Sequence, residues 1–343
     1  MDRENDFYGT KINSIQALRG IAALFVVLEH IRFLNCGAFG VDIFFCISGF
    51  MILFSTQKST DRFLSKRLIR IVPFYWLMTL ATYAFLLLAP GLFAQTKADP
   101  VLLAKSLLFL PFDIGGGLFQ PLLRIGWTIN CEIFFYIVFY ISFKISHKYR
   151  GLICSGLLLA AVLLAALFPS VSPFLSFYGD PVMLDFIFGM IAQHICRRLY
   201  TLHMAGRLPR PLLPLSFATA VLCFGGLLIT KPYADAVGFR RPLLWGLPAL
   251  VILLCFFLIG LYREMPGALI RLGDISFSLY LLHYYPVVFL DRKVFDCSTA
   301  SPRAFLGVAV CFAVSTLLAL LGYEIIEKRF SGWLRQKLIK TPR

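Results

Sequence analysis

Arg19 and His30 stand 11 residues apart in SIQALRGIAALFVVLEH, residues 14–30, with Ile21 to Leu28 apolar between them. On a helix, 11 steps of about 100° fall within roughly 20° of whole turns, so both side chains share one face, about 16 Å apart along the axis. At membrane depth such a pair is costly, roughly 2.5–3.5 kcal/mol for an arginine at a helix centre. Either the face lines a polar cavity, or Arg19 snorkels to the headgroups while His30 lies at the opposite interface. In the first case His30 is a candidate general base. Two carboxylates stand in comparably apolar settings: Asp42 in FGVDIFFCISGFMI and Glu132 in GWTINCEIFFY. Either one would fix the imidazole tautomer if it met His30, and either would otherwise serve as an inter-helix hydrogen-bond partner.

A second chemistry is written in RFLSKRLIRIVPFYW. Spacings of three and four put Lys66 and Arg70 on one helical face with Arg67 close by. Such a cationic fork suits phosphates, and it also suits a plain membrane anchor on the basic side. Trp127 and Tyr136 flank Glu132 and read as substrate contacts or as interfacial aromatics. His283, in GDISFSLYLLHYYP, reads as a substrate contact or as a packing residue, with Pro286 expected to kink its helix. A metal bound by His30, Asp42, Glu132 and His283 is disfavoured, because no HExxH or paired-histidine spacing supports it. Gly115–Gly117 is expected to be a turn, since no Gly-Lys-Ser/Thr follows it.

The elements that must carry these residues follow from composition. The 343 residues are 59% hydrophobic and 15% charged, against about 25% charged in soluble domains. Apolar runs of about 20 residues recur, each long enough for a ~30 Å hydrocarbon core. The expectation is an all-α polytopic membrane protein, a single domain over 1–343. Its ten spans are expected near 14–34, 38–56, 70–89, 125–143, 151–168, 181–196, 211–229, 242–261, 273–291 and 304–324, with a short interfacial helix in 102–109. The first run lacks a cleavage site and is expected to remain as a span. The net charge of +15 is read as loop charge rather than as a nucleic-acid footprint. With both termini cytoplasmic, 22 of the 33 Lys and Arg residues lie inside and 10 outside, as the positive-inside rule requires. The nine cysteines lie mostly within apolar runs and read as packing residues.

The motifs, in order, resemble the acyltransferase type 3 family, polytopic inner-membrane enzymes that O-acylate bacterial surface polysaccharides. The resemblance rests on Arg19-x10-His30, on GVDIFFCISGF, on Lys66-Arg67-x2-Arg70-x2-Pro73 with Tyr75, and on Trp127-x4-Glu132-x3-Tyr136. SFSLYLLHYYPV departs from the family pattern by Phe277 in place of a tyrosine. The resemblance runs over about 14–330 and is nearest the exopolysaccharide O-acetyltransferase branch. It implies an acyl-CoA donor, most often acetyl-CoA, with no metal, and a saccharide acceptor in an exopolysaccharide or a lipopolysaccharide. It further implies an essential His30, and arginines of the third span on the coenzyme phosphates. Asp42 or Glu132 would then orient His30, and Arg19 would line the donor's path. Whether His30 is itself acylated is left open. The alternative from another class is a transporter or flippase, whose polar cavity needs the same residue types. A non-catalytic scaffold is the third reading.

Overall fold

In hydrocarbon every backbone N–H and C=O must be satisfied inside the protein, which leaves helices or closed barrels. The computed structural model is about 80% helix. It describes residues 7–8, 12–57, 62–89, 98–112, 119–169, 171–234 and 238–339 and contains no strand among them. The expected Gly115–Gly117 turn lies outside the described residues. Ten spans are expected; among the described residues, six helices are long and apolar enough to cross a membrane. They are Phe63–Leu88, Arg124–Ile145, Arg150–Leu167, Leu212–Lys231, Pro242–Tyr262 and Pro302–Leu338.

The other four expected spans are helical but differ for identifiable reasons. Helix α1 (Asn13–Glu29) and helix α2 (Gly40–Ser55) are short, at 17 and 16 residues. The sixth is a longer helix, Leu184–Met204, that carries Asp185, Arg197 and Arg198. The ninth is broken into Gly267–Asp274, Ser276–Leu282 and Tyr284–Phe289, followed by a π-helical stretch, Leu290–Phe295. Pro286 has no N–H to give the Leu282 carbonyl, and the helix bends at His283, whose own backbone is α-helical (φ −69°, ψ −32°), as expected of a proline kink.

The chain divides into two compact units. The first comprises residues 1–60 and 181–319. Its core joins Ile15, Leu18 and Ala22 of α1 to Ile43, Ile47 and Phe50 of α2 and to Trp245, Ile252 and Phe257. Glycines set the closest approaches. A Cβ on Gly189 would meet the Cys46 carbonyl, and one on Gly49 the Phe186 carbonyl, so α2 and Leu184–Met204 cross backbone to backbone. A Cβ on Gly20 would lie 2.9 Å from the Gly273 nitrogen, which brings Gly267–Asp274 against α1 in the same way. Small residues at such crossings are the usual device of membrane helices.

The second unit comprises residues 61–180 and 320–343. Its helix α3 (Phe63–Leu88) begins seven residues before the expected start, so Lys66, Arg67 and Arg70 are helical, while Arg62 is the N-cap residue in a left-handed conformation. Pro73 lies inside this helix, not in its first turn. Helix α4 (Pro100–Leu107) is the short helix expected near 102–109, and Asp99 caps it by accepting from the Val101 N–H. Helix α5 (Trp127–Ile145) carries Glu132.

Candidate functional site

His30 terminates α1 as its C-cap residue. The last carbonyls of a helix have no intrahelical donors, and the His30 ring reaches back to one of them, with Nδ1 2.9 Å from the Val26 oxygen. The helix C-terminus also favours positive charge. His283 stands at the junction between Ser276–Leu282 and Tyr284–Phe289 and has no exposed surface. Its Nε2 lies 3.2 Å from His30 Nδ1. Its own Nδ1 lies 3.0 Å from the Leu279 oxygen and 2.7 Å from the Tyr280 oxygen. Tyr284 stands edge-on to His30, with ring centres 5.0 Å apart.

The chain segments that follow the two histidines are tied together. Arg32 donates to Asp291 at 2.7 Å, to the Asp291 carbonyl at 3.1 Å and to Asp296 at 2.7 Å. The Phe33 N–H donates to the Cys297 carbonyl at 3.0 Å. These bonds raise the affinity of Arg32 for its proton, the Asp291 hydrogen bond being the largest cause, and Arg32 in turn holds the Asp296 carboxyl below its ordinary value. On the other side of His30, Glu29 accepts from the Gly37 and Ala38 N–H groups at 2.7 and 3.0 Å and from Lys231 at 3.0 Å. It thereby satisfies donors just ahead of α2. Lys231 also donates to the Asn35 carbonyl.

Asp42, in the first turn of α2, is fully buried. Its carboxylate accepts two bonds from Arg241, at 3.1 and 3.0 Å, and the guanidinium lies over the Trp245 ring at 5.4 Å. The expectation that Asp42 orients His30 is therefore corrected: the bonds Asp42 accepts come from Arg241. Arg19 is half-buried on α1, about three turns before His30. His283, expected against substrate, has both ring nitrogens on protein partners.

In the second unit a different group assembles. Tyr136 donates its hydroxyl to the Glu132 carboxylate one turn earlier on α5. The Arg67 guanidinium lies over the Tyr136 ring at 5.6 Å and over Phe63 at 5.8 Å. Lys66, Arg67 and Arg70 are all half-buried in the first turns of α3. Trp127 opens α5 and is half-buried. Buried Tyr75 donates to the Ser106 carbonyl at 3.2 Å and packs where a Cβ on Gly126 would collide with it, which fixes the chain just before Trp127.

Sequence reasoning missed Arg241, the Glu29–Lys231 pair and the Arg32–Asp291–Asp296 cluster. A signal was present: Lys231 and Asp291 each interrupt an apolar run, as Asp42 and Glu132 do. Asp185, fully buried in the first turn of Leu184–Met204, was missed although it carries the same signal.

A family model described as an acyltransferase domain matches residues 12–321. The exopolysaccharide production protein ExoZ of Rhizobium meliloti (strain 1021) is 30% identical over 310 residues, covering 85% of this chain and 89% of its own. The BcsY protein of Komagataeibacter xylinus is 27% identical over 349 residues, covering 95% and 84%. The peptidoglycan O-acetyltransferase OatA of Listeria monocytogenes serovar 1/2a (strain ATCC BAA-679 / EGD-e) is 24% identical over 353 residues, covering 92% of this chain and 56% of its own. No solved structure matches the chain.

Proposed function

The chain belongs to the acyltransferase type 3 family, and from that membership we propose that it moves an acyl group, acetyl in the simplest case, from acyl-CoA to a hydroxyl of a cell-surface or lipid-linked saccharide. It is a multi-pass membrane protein. We place it in the bacterial inner membrane with both termini cytoplasmic.

The observation that carries the reading is His30 at the C-terminus of α1, with its Nδ1 on the Val26 carbonyl and the His283 ring. In the proposed reaction His30 takes the proton of the acceptor hydroxyl as its oxygen attacks the thioester carbon. The C–O bond forms, the C–S bond breaks, and the proton passes from His30 to the departing CoA thiolate. General-base assistance of this kind contributes typically 10²–10⁴-fold. Lys66, Arg67 and Arg70 would grip the coenzyme phosphates, with Tyr136 and Glu132 holding Arg67 in place. Arg19 would line the path of the donor's arm. Trp127 and the Tyr136 ring are proposed to meet the acceptor sugar. The naming of ExoZ for exopolysaccharide production and of OatA for peptidoglycan O-acetylation supports a polysaccharide acceptor.

The test uses purified protein in lipid, with acetyl-CoA and a glycan acceptor. Thiol release and ester formation, both lost by at least about 10²-fold in His30→Ala at unchanged protein level, are the expected outcome. Undiminished sugar acylation in His30→Ala would overturn the base assignment. A protein that moves glycan across vesicles without releasing thiol would be a transporter.

A further inference from the structure

We propose that His283 is a positioning residue that locks His30 into the tautomer whose Nε2 carries the lone pair. The catalytic part of this proposal rests on His30 being the base; the tautomer itself does not.

The argument is one of donors and acceptors. A neutral imidazole has one N–H and one lone pair. The Nδ1 of His283 faces two carbonyl oxygens, at 3.0 and 2.7 Å. Carbonyl oxygens only accept, so a lone pair there would be repelled twice, and Nδ1 must carry the hydrogen. Nε2 of His283 is then the acceptor. The atom it faces, at 3.2 Å, is Nδ1 of His30. That same Nδ1 also faces the Val26 oxygen at 2.9 Å. Two acceptors converge on His30 Nδ1, so it is the N–H, and the lone pair of His30 resides on Nε2.

The order of dependence is therefore fixed by the backbone. The Leu279 and Tyr280 carbonyls set His283, and His283 together with the Val26 carbonyl sets His30. A histidine here does the orienting work that a carboxylate does in hydrolase triads. Complete burial keeps the second ring from turning, and the Arg32–Asp291 and Phe33–Cys297 bonds hold the two flanking segments at that spacing.

The test pairs His283→Leu, which removes the acceptor, with His283→Gln, whose side-chain oxygen can still accept near the Nε2 position. Nitrogen-15 NMR of histidine-labelled protein reads the tautomer directly, with the His30 resonances assigned by their loss in His30→Ala. The expected result is Nδ1–H in the wild type and in His283→Gln, and a mixture of the two tautomers in His283→Leu, where the Val26 carbonyl still faces His30 Nδ1. In turnover, His283→Leu should lower kcat by about ten-fold, well below the ~10⁴-fold loss known for a wrong tautomer in a hydrolase triad. KM for acetyl-CoA should not change, and His283→Gln should recover most of the lost kcat. An Nε2–H tautomer in the wild type would overturn the proposal. So would an unchanged tautomer in His283→Leu, or equal losses in the two variants, which would mark His283 as packing alone. If no variant and no wild type turns over sugar, the base reading fails, and the tautomer measurement alone decides the pairing.

Discussion

Arg241 holds a carboxylate that has no exposed surface. Replacing it with alanine strands Asp42, and breaking a buried pair by removing one partner costs about 3–5 kcal/mol. Arg241→Ala is therefore expected to lower the unfolding midpoint in detergent strongly. The double change Asp42→Leu with Arg241→Met should recover most of it, because apolar replacement of a buried pair is often near neutral. A double variant no more stable than Arg241→Ala would refute this account. The same residue shows what sequence can and cannot yield. Asp42 was recognisable as buried from Val41, Ile43, Phe44 and Phe45 around it, but its partner lies 199 residues away. Proximity along the chain pointed to His30 instead. His283, likewise, is separated from His30 by 253 positions, and nothing in the local pattern of either one names the other.

At the scale of elements, hydropathy found the long helices and blurred the broken one. Residues 273–291 form one apolar run, yet the helix stops at Ile275 and again at His283. The break at Ile275 has no glycine or proline at that residue, whereas the one at His283 lies a turn before Pro286, whose missing N–H frees the Leu282 carbonyl. Two substitutions separate fold from function at this level. Gly189→Leu drives a side chain into the Cys46 carbonyl, against backbone that cannot yield. It is expected to abolish the folded species, as judged by size-exclusion of the detergent-solubilised protein. A monodisperse peak at wild-type yield would show that the crossing tolerates separation. Arg32→Ala, by contrast, removes bonds between the segments that follow His30 and His283 while leaving the helices themselves untouched. It should still fold but with a lower unfolding midpoint, because Asp291, 1% exposed, loses its partner, and it should lower kcat by about ten-fold, the size of one lost hydrogen bond to a charged group, about 1.5 kcal/mol. An unchanged kcat would mean that the histidine pair keeps its spacing without the arginine.

For the whole molecule, the division into units offers a separation of kinetic roles. The cationic fork belongs to residues 61–180 and the histidine pair to residues 1–60 and 181–319. Arg67→Gln and Arg70→Gln are expected to raise KM for acetyl-CoA by about ten-fold or more each, as loss of a charge-assisted contact of about 1.5–3 kcal/mol implies. His30 variants should act on kcat. An Arg67→Gln enzyme with unaltered KM would remove the fork from donor binding. The membrane class and helical composition were legible from the recurrent apolar runs alone. Among the described residues α1 and α2, at 17 and 16 residues, are shorter than the six helices long and apolar enough to cross a membrane.

That shortness has a consequence in terms of bilayer elasticity. At 1.5 Å per residue α1 and α2 are about 26 and 24 Å long, whereas Phe63–Leu88 reaches about 39 Å. A hydrocarbon slab of ~30 Å thus overreaches the helices that carry His30 and Asp42, and the mismatch costs fractions of a kcal/mol for each ångström. Apart from Asn13 and Ser55 neither helix has an exposed residue, so the helices packed around them, not lipid, meet most of that mismatch. Turnover in vesicles should accordingly change little between short-chain and long-chain lipids, and a steep dependence on chain length would show that lipid reaches α1 or α2.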